Sequence, residues 1–321
     1  MSEDKKDEHI GRRELIAKVG IATAAIASGA ISTNTSHAQS SVIAKKQYSG
    51  KTAFITGGAR GIGFATAEMF ATNGANIVIF DIASTKIDGI GYSVSNEKDL
   101  QNAKTKIEKL GVKCLTIKGD VRNKKSLDLA VMKTIKKFNT IDFMVANAGV
   151  TQIGYLPDFS ELEVSAILDI NVSGVIKTTQ AVIPQMIKQK SGRIIFISSI
   201  LGRKGNKDWP VYSASKWAVI GFAKSTAHLL GKNNITCNAI CPGLVDTKLV
   251  NNEYVLKRWL PHDPKWSNVV SWVEKNHPIP KGVYKPSEIA AAVKIFCDDG
   301  ASTITGEVLD ISMGASAEAT A

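Results

Sequence analysis

The chain has 321 residues, 44% of them hydrophobic, which is enough to bury a full core and fits one larger α/β domain. Its formal net charge is +11, but the lysines are scattered (Lys104, Lys106, Lys109, Lys133, Lys136, Lys137) and not interleaved with aromatics. The surplus reads as a solvated surface, not a nucleic-acid footprint. The cysteines Cys114, Cys237, Cys241 and Cys297 form no C-x-x-C and have no histidine at ligand spacing, so no structural disulfide and no metal are expected. Cys237 and Cys241 share one strand pattern, and a rise of about 3.3 Å per residue sets them too far apart to bridge.

The first segment reads as an address. Arg12-Arg13 precedes thirteen uncharged residues, Val19 to Ile31. That run is shorter than the roughly 20 residues of a membrane span and fits the apolar part of a signal peptide. Ser36-His37-Ala38 supplies small residues before a cut after Ala38. The paired arginines resemble the twin-arginine export signal, so residues 1–38 predict delivery to the periplasm or beyond, with the membrane touched only through this signal. A short linker, 39–47, follows. An uncleaved anchor and a cytosolic tail are the alternatives.

From 48 to 321 apolar runs alternate with helical patterns. Strands are expected at 52–56, 76–80, 114–117, 141–146, 193–197, 235–240 and 307–311. Between them, Leu100, Ala103, Ile107 and Leu110 mark one face of a helix that Gly111 stops. Continuous apolar strands separated by helices predict a parallel sheet covered on both faces: a single doubly wound Rossmann domain of seven strands.

The first strand ends in Thr56-Gly57-Gly58-Ala59-Arg60-Gly61-Ile62-Gly63 and opens a helix, and Asp81 closes the second strand eighteen residues after Gly63. This is the setting of a dinucleotide fingerprint, where glycines let the backbone approach a pyrophosphate at a helix N-terminus. An acid at Asp81 accepts from ribose hydroxyls and repels a 2′-phosphate, so NAD is expected over NADP. Arg60 argues mildly the other way.

Tyr212 and Lys216 stand four apart at the start of a helix, hence on one face. A nearby ammonium lowers a phenol's pKa from about 10 and makes the pair a proton-exchanging unit. Ser198-Ser199 ends the preceding strand, Asn147-Ala148-Gly149 ends the fourth, Asn171 lies in the next helix, and Pro242-Gly243 follows the sixth. Together with the glycine turn, this set resembles the short-chain dehydrogenase/reductase family. The resemblance implies Tyr212 as acid/base, Lys216 on the nicotinamide ribose, Ser199 on the substrate oxygen and Asn171 in a proton relay. It also implies that Asp120 and Val121 flank the adenine, that Asn147, Ala148 and Gly149 form the cofactor floor, and that Val245 and Thr247 meet the nicotinamide amide. Gly57, Arg60, Gly61, Ile62, Gly63 and Asp81 complete the cofactor set. The implied reaction is hydride transfer between NAD and a secondary alcohol or ketone, in a homo-oligomer (dimer or tetramer). An NADP-linked ketoacyl-type reductase and a non-catalytic NAD-binding protein are the alternatives.

Two departures carry further expectations. The stretch 82–96 is a long insertion after Asp81, set to fold over the adenosine half of the cofactor. It resembles that of carveol-dehydrogenase-like members, in which tightly held NAD is re-oxidised in place by an external electron acceptor. The segment 248–285 reads as a substrate lid. Tyr254, Trp259, Leu260, Trp266 and Trp272 predict an apolar or cyclic small-molecule substrate.

Overall fold

A computed structural model describes residues 46–317. The export signal, with Arg12, Arg13 and the cut after Ala38, lies outside them. Strands β1 (Thr52–Thr56), β2 (Asn76–Asp81), β3 (Cys114–Lys118), β4 (Phe143–Ala146), β5 (Gly192–Ile197), β6 (Ile235–Pro242) and β7 (Val308–Ile311) form one sheet. Its order is β3-β2-β1-β4-β5-β6-β7, and every pair is parallel.

Alternate residues of each strand feed two cores, as the two-residue period of a strand requires. Phe54, Phe80, Met144 and Phe196 face one side, against α3 (Lys124–Phe138), α5 (Gly174–Gln189) and α6 (Pro210–Leu230). Ile55, Ile79, Val145 and Ile195 face the other, against α1 (Gly61–Thr72), α2 (Glu97–Glu108) and α9 (Pro286–Cys297). A sheet buried on both faces explains why its strands read as unbroken apolar runs. The four cysteines are buried and unpaired. The domain is anchored from its first residues: Tyr48 is fully buried on Phe70 and Phe143, and its hydroxyl donates to Asp298 at 2.6 Å.

Strand ends differ from expectation where side chains take over the backbone's hydrogen bonds. β4 starts at Phe143, not Ile141. The Gln189 amide accepts from Ile141 N–H and donates to its carbonyl, while the Asp142 carboxylate accepts from Thr52 N–H. β6 runs on to Pro242, because β7 continues beside it as far as Ile311.

The chain passes from β1 outward to β2 and β3, then returns to place β4 on the other side of β1. At that reversal the connections leave the carboxyl ends of β1 and β4 in opposite directions and open a crevice. The substrate-side elements lie beyond it: α4 (Glu161–Leu168), α7 (Glu253–Trp259) and α8 (Trp266–Asn276).

Candidate active site

The crevice holds a cavity of about 1040 Å³ whose wall includes Gly57, Gly61, Asp81, Asn147, Ser199, Tyr212 and Lys216. Gly57 and Gly61 have φ of +66° and +59°, which a glycine adopts freely. A Cβ on Gly63 would lie 2.2 Å from the Gly57 carbonyl oxygen, so only a glycine lets α1 close on the turn. The Asn147 amide ties this closure down by donating to the carbonyls of Thr56 and Gly57, both at 3.0 Å. Helices α2, α3, α4 and α7 are capped by Asn96, Asn123, Ser160 and Asn252, whereas α1 has no side-chain cap and no acid in its first turn. Its free N–H groups and positive end suit an anion.

Asp81 is buried, and it holds the turn to the insertion. One carboxylate oxygen accepts from Ala59 N–H at 3.0 Å; the other accepts from Ala83 N–H and from the Ser95 hydroxyl. Ala83 is left-handed, at φ 44°, so the chain turns sharply where the insertion begins. A carboxylate offers about four acceptor positions. One therefore remains, on the oxygen that Ala59 shares. Arg60 donates to the Ser93 carbonyl at 2.9 Å, so its guanidinium is fastened to the insertion.

The insertion is a strap. Ile87, Tyr92 and Val94 are buried, and all three line the cavity with Ile82 and Ser95. Thr151 N–H donates to the Tyr92 hydroxyl at 2.9 Å, and Gln152 donates to the Gly89 carbonyl at 2.8 Å. The Tyr254 ring of α7 lies on Gly91 so closely that a Cβ there would stand 2.0 Å from it. Arg258 covers that ring at 3.8 Å. Strap and lid thus meet directly.

Asn171 sits in a π-helical turn, Asp169–Ser173, between α4 and α5. Such turns often mark functional positions. Its side chain is fully buried: the oxygen accepts from Val150 N–H, and the amide donates to the Val150 carbonyl and the Ser215 hydroxyl. Asn171 therefore holds the floor after β4 against the helix that bears Tyr212. Asp120 and Val121 line the cavity, and Arg122 grips Asp120 in a fork, with a shortest contact of 2.6 Å. Val245 and Thr247 line it from the other side. A Cβ on Gly61 would meet Thr247 at 3.4 Å, which puts that threonine beside the glycine turn.

Tyr212 and Lys216 occupy the first turns of α6, with Lys216 Nζ 5.5 Å from the tyrosine ring centre. Ser198 gives its hydroxyl to the Lys216 carbonyl at 2.9 Å, which leaves Ser199 to face the cavity chemistry. The expected activation runs the other way here. Burial pushes the Tyr212 phenol up to about 12, and the Ser199 hydroxyl offsets only part of this by hydrogen bonding. Burial also pulls Lys216 down to about 8. The ammonium donates to the Ile197 carbonyl at 2.9 Å and has no carboxylate partner among the described residues. A desolvated cation and a desolvated phenol each resist ionisation.

Of the five lid residues expected to meet substrate, Trp259, Leu260 and Trp272 line the cavity, while Tyr254 packs on the strap and Trp266 lies off the cavity wall. Trp259 stands edge-on to Trp209, 4.8 Å between centres. Trp209, Asn206, Asp208 and His277 are wall residues that no motif announces. Thr56 was equally silent, though its hydroxyl accepts from the N–H groups of Asn147 and Ala148. A hydroxyl at the end of the first strand, one residue before the glycines, is a signal that could have found it.

The family model described as short chain dehydrogenase matches residues 51–255. The chain is 35% identical over 266 residues to the 3-oxoacyl-(acyl-carrier-protein) reductase FabG of Chlamydia trachomatis, covering 82% of this chain and 96% of that one. The carveol dehydrogenase of Mycobacterium avium, solved in complex with NAD, superposes with a TM-score of 0.82 at 30% identity, over 85% of this chain and 100% of its own. A short chain dehydrogenase of Mycobacterium paratuberculosis bound to NAD gives 0.76 at 30%, over 83% and 98%. With the matched model spanning more than half of its length, and with the crevice, glycine turn and Tyr212-Lys216 face in one cavity, the chain belongs to the short-chain dehydrogenase family and is an oxidoreductase.

Proposed function

We propose that the enzyme moves a hydride between NAD and an apolar secondary alcohol or its ketone, with Tyr212 exchanging the proton on the substrate oxygen. The carrying observation is that Tyr212, Lys216 and Ser199 share one cavity wall with the glycine turn and Asp81. Bound along that wall, the nicotinamide supplies the hydride chemistry. Gly57, Gly61 and Gly63 leave room for a pyrophosphate at the uncapped start of α1, and the last acceptor position of Asp81 suits a ribose hydroxyl. A 2′-phosphate would meet that buried carboxylate instead, which favours NAD over the NADP of a ketoacyl-type reductase. Ser199 orients the substrate oxygen toward Tyr212, and Lys216 presents its ammonium to a ribose and to the phenol. Asn171 contributes by position, since its side chain is spent on Val150 and Ser215. Tyr212→Phe should lower turnover by about a hundred- to ten-thousandfold, on the order of general acid–base catalysis. NADH titration by fluorescence should be unaltered. Near-normal turnover would remove this mechanism.

The strap also supports a tightly held cofactor, of the kind that an external electron acceptor re-oxidises in place. Gently denatured enzyme should then release NAD in a 1:1 ratio, and a purified protein that needs added NAD for every turnover overturns this. Residues 1–38 would carry the loaded protein out of the cytoplasm, cut after Ala38. Trp217 and Leu229 stand exposed on α6, and a dimer or tetramer would form through that helix.

A further inference from the structure

The strap brings to Asp81 one oxygen that the expected cofactor set omits. Ser95 lines the cavity wall together with Asp81. Its hydroxyl is hydrogen-bonded to Oδ1 of that carboxylate, and a carboxylate only accepts, so the hydroxyl spends its single proton there. Two lone pairs remain on Ser95 Oγ, and no group among the described residues donates to them.

That oxygen is held from both sides along the chain. Val94 before it is buried in the core. Asn96 after it caps α2 in a reciprocal box with Asp99, at 2.9 and 3.0 Å. The side chain is thus ordered in the folded protein, and a ligand would meet it with little further loss of freedom.

Counting acceptors decides what Ser95 can do. Oδ1 of Asp81 takes the Ala83 N–H at 3.1 Å and the Ser95 hydroxyl, while Oδ2 takes the Ala59 N–H at 3.0 Å. A ribose presents two neighbouring hydroxyls, and this carboxylate has room for one of them. The other would be left unpaired in a crevice closed by the strap, which is unfavourable. Ser95 Oγ, bonded to the same carboxylate, is the adjacent acceptor and has no proton left to oppose a donor.

We infer that Ser95 accepts a hydrogen bond from the second hydroxyl of the adenosine ribose, Asp81 taking the first, so that the strap is part of the cofactor site as well as its cover. This rests on the NAD reading proposed above. A phosphate on either hydroxyl would bring acceptor oxygens to two groups that only accept, which extends the preference for NAD from Asp81 to the strap.

The test displaces NADH from the whole enzyme with NAD and with its analogues lacking the adenosine 2′- or 3′-hydroxyl, read by NADH fluorescence. In the wild type each analogue should compete about fivefold less well than NAD, the contribution of one hydrogen bond. Ser95→Cys fills the same place with a weak acceptor and should hold NAD about fivefold less tightly. For one of the two analogues this variant should lose nothing further, within about twofold, while the other still competes about fivefold less well. A wild type indifferent to either hydroxyl overturns the inference without any variant. So does a Ser95→Cys enzyme in which both losses persist in full, as they would if Ser95 only fastened the strap to Asp81. NADP competing better than NAD against the wild type overturns the NAD reading itself.

Discussion

Lys216 sets chemistry against stability. Its ammonium is buried, faces no carboxylate among the described residues, and is pulled down to about 8. Against an ordinary lysine near 10.4 that shift is on the order of 3 kcal/mol, offset in part by the bond to Ile197. Lys216→Met should therefore abolish turnover and stabilise the cofactor-free protein by about 1–2 kcal/mol at pH 7. The sign follows from proton counting. Between pH 8 and 10 the unfolded chain keeps the lysine proton that the folded one has lost, so the wild type gains stability as pH rises. The gap between the two proteins should narrow across that window. Tyr212, raised to about 12, acts in the opposite direction only above pH 10 and is common to both. Denaturant unfolding at pH 7 and pH 10 measures this; a variant less stable at pH 7, or a gap that ignores pH, contradicts the burial origin.

At the scale of elements, strap and lid behave as one cover, although the sequence lists them 150 residues apart. Their meeting point is Tyr254 on Gly91, with Tyr92 6.4 Å away between ring centres and Thr151 bonded to the Tyr92 hydroxyl. Gly91→Ala would push a methyl group to 2.0 Å from the Tyr254 ring, and the overpacking, about 1–3 kcal/mol, must be relieved by separating the two. NADH should then bind roughly tenfold more weakly and leave faster, by stopped-flow fluorescence, while Tyr212 still titrates the reaction. Unchanged release would mean that the strap covers the crevice without closing it. The insertion and the lid were legible as stretches, from length and from aromatics. Their contacts were not, because loops have no period and these pairs form only through the fold. The family resemblance pointed to Ser199 over Ser198, and in the structure the Ser198 hydroxyl donates to the Lys216 carbonyl.

For the whole molecule, the parallel sheet was readable because each buried strand is an apolar run with a helix pattern after it, and because Gly57 to Gly63 and Asp81 fix where the first two strands end. What the sequence could not carry is the interdependence of these parts. Gly63 closes on Gly57, Asn147 donates to the Thr56 and Gly57 carbonyls at the start of that turn, and Asp81 joins it to the strap, so the cofactor crevice exists only in the completed domain. This bears on the proposed export. The route that the Arg12-Arg13 signal resembles carries proteins that have already folded. Gly63→Val would place its Cβ 2.2 Å from the Gly57 carbonyl oxygen and force α1 off the turn, undoing the crevice at its root. That variant should stay in the cytoplasm as uncut precursor, at least tenfold depleted outside, a loss of the size expected when a core substitution of several kcal/mol unfolds a marginal domain. Tyr212→Phe, which leaves the fold intact, should be exported and cut after Ala38 like the wild type, and Arg12→Lys with Arg13→Lys should block export of a fully folded enzyme. Fractionation with N-terminal sequencing reads all three. Export of Gly63→Val at the wild-type level would break the link between cofactor crevice and delivery, and export of the double lysine variant would remove the twin-arginine reading.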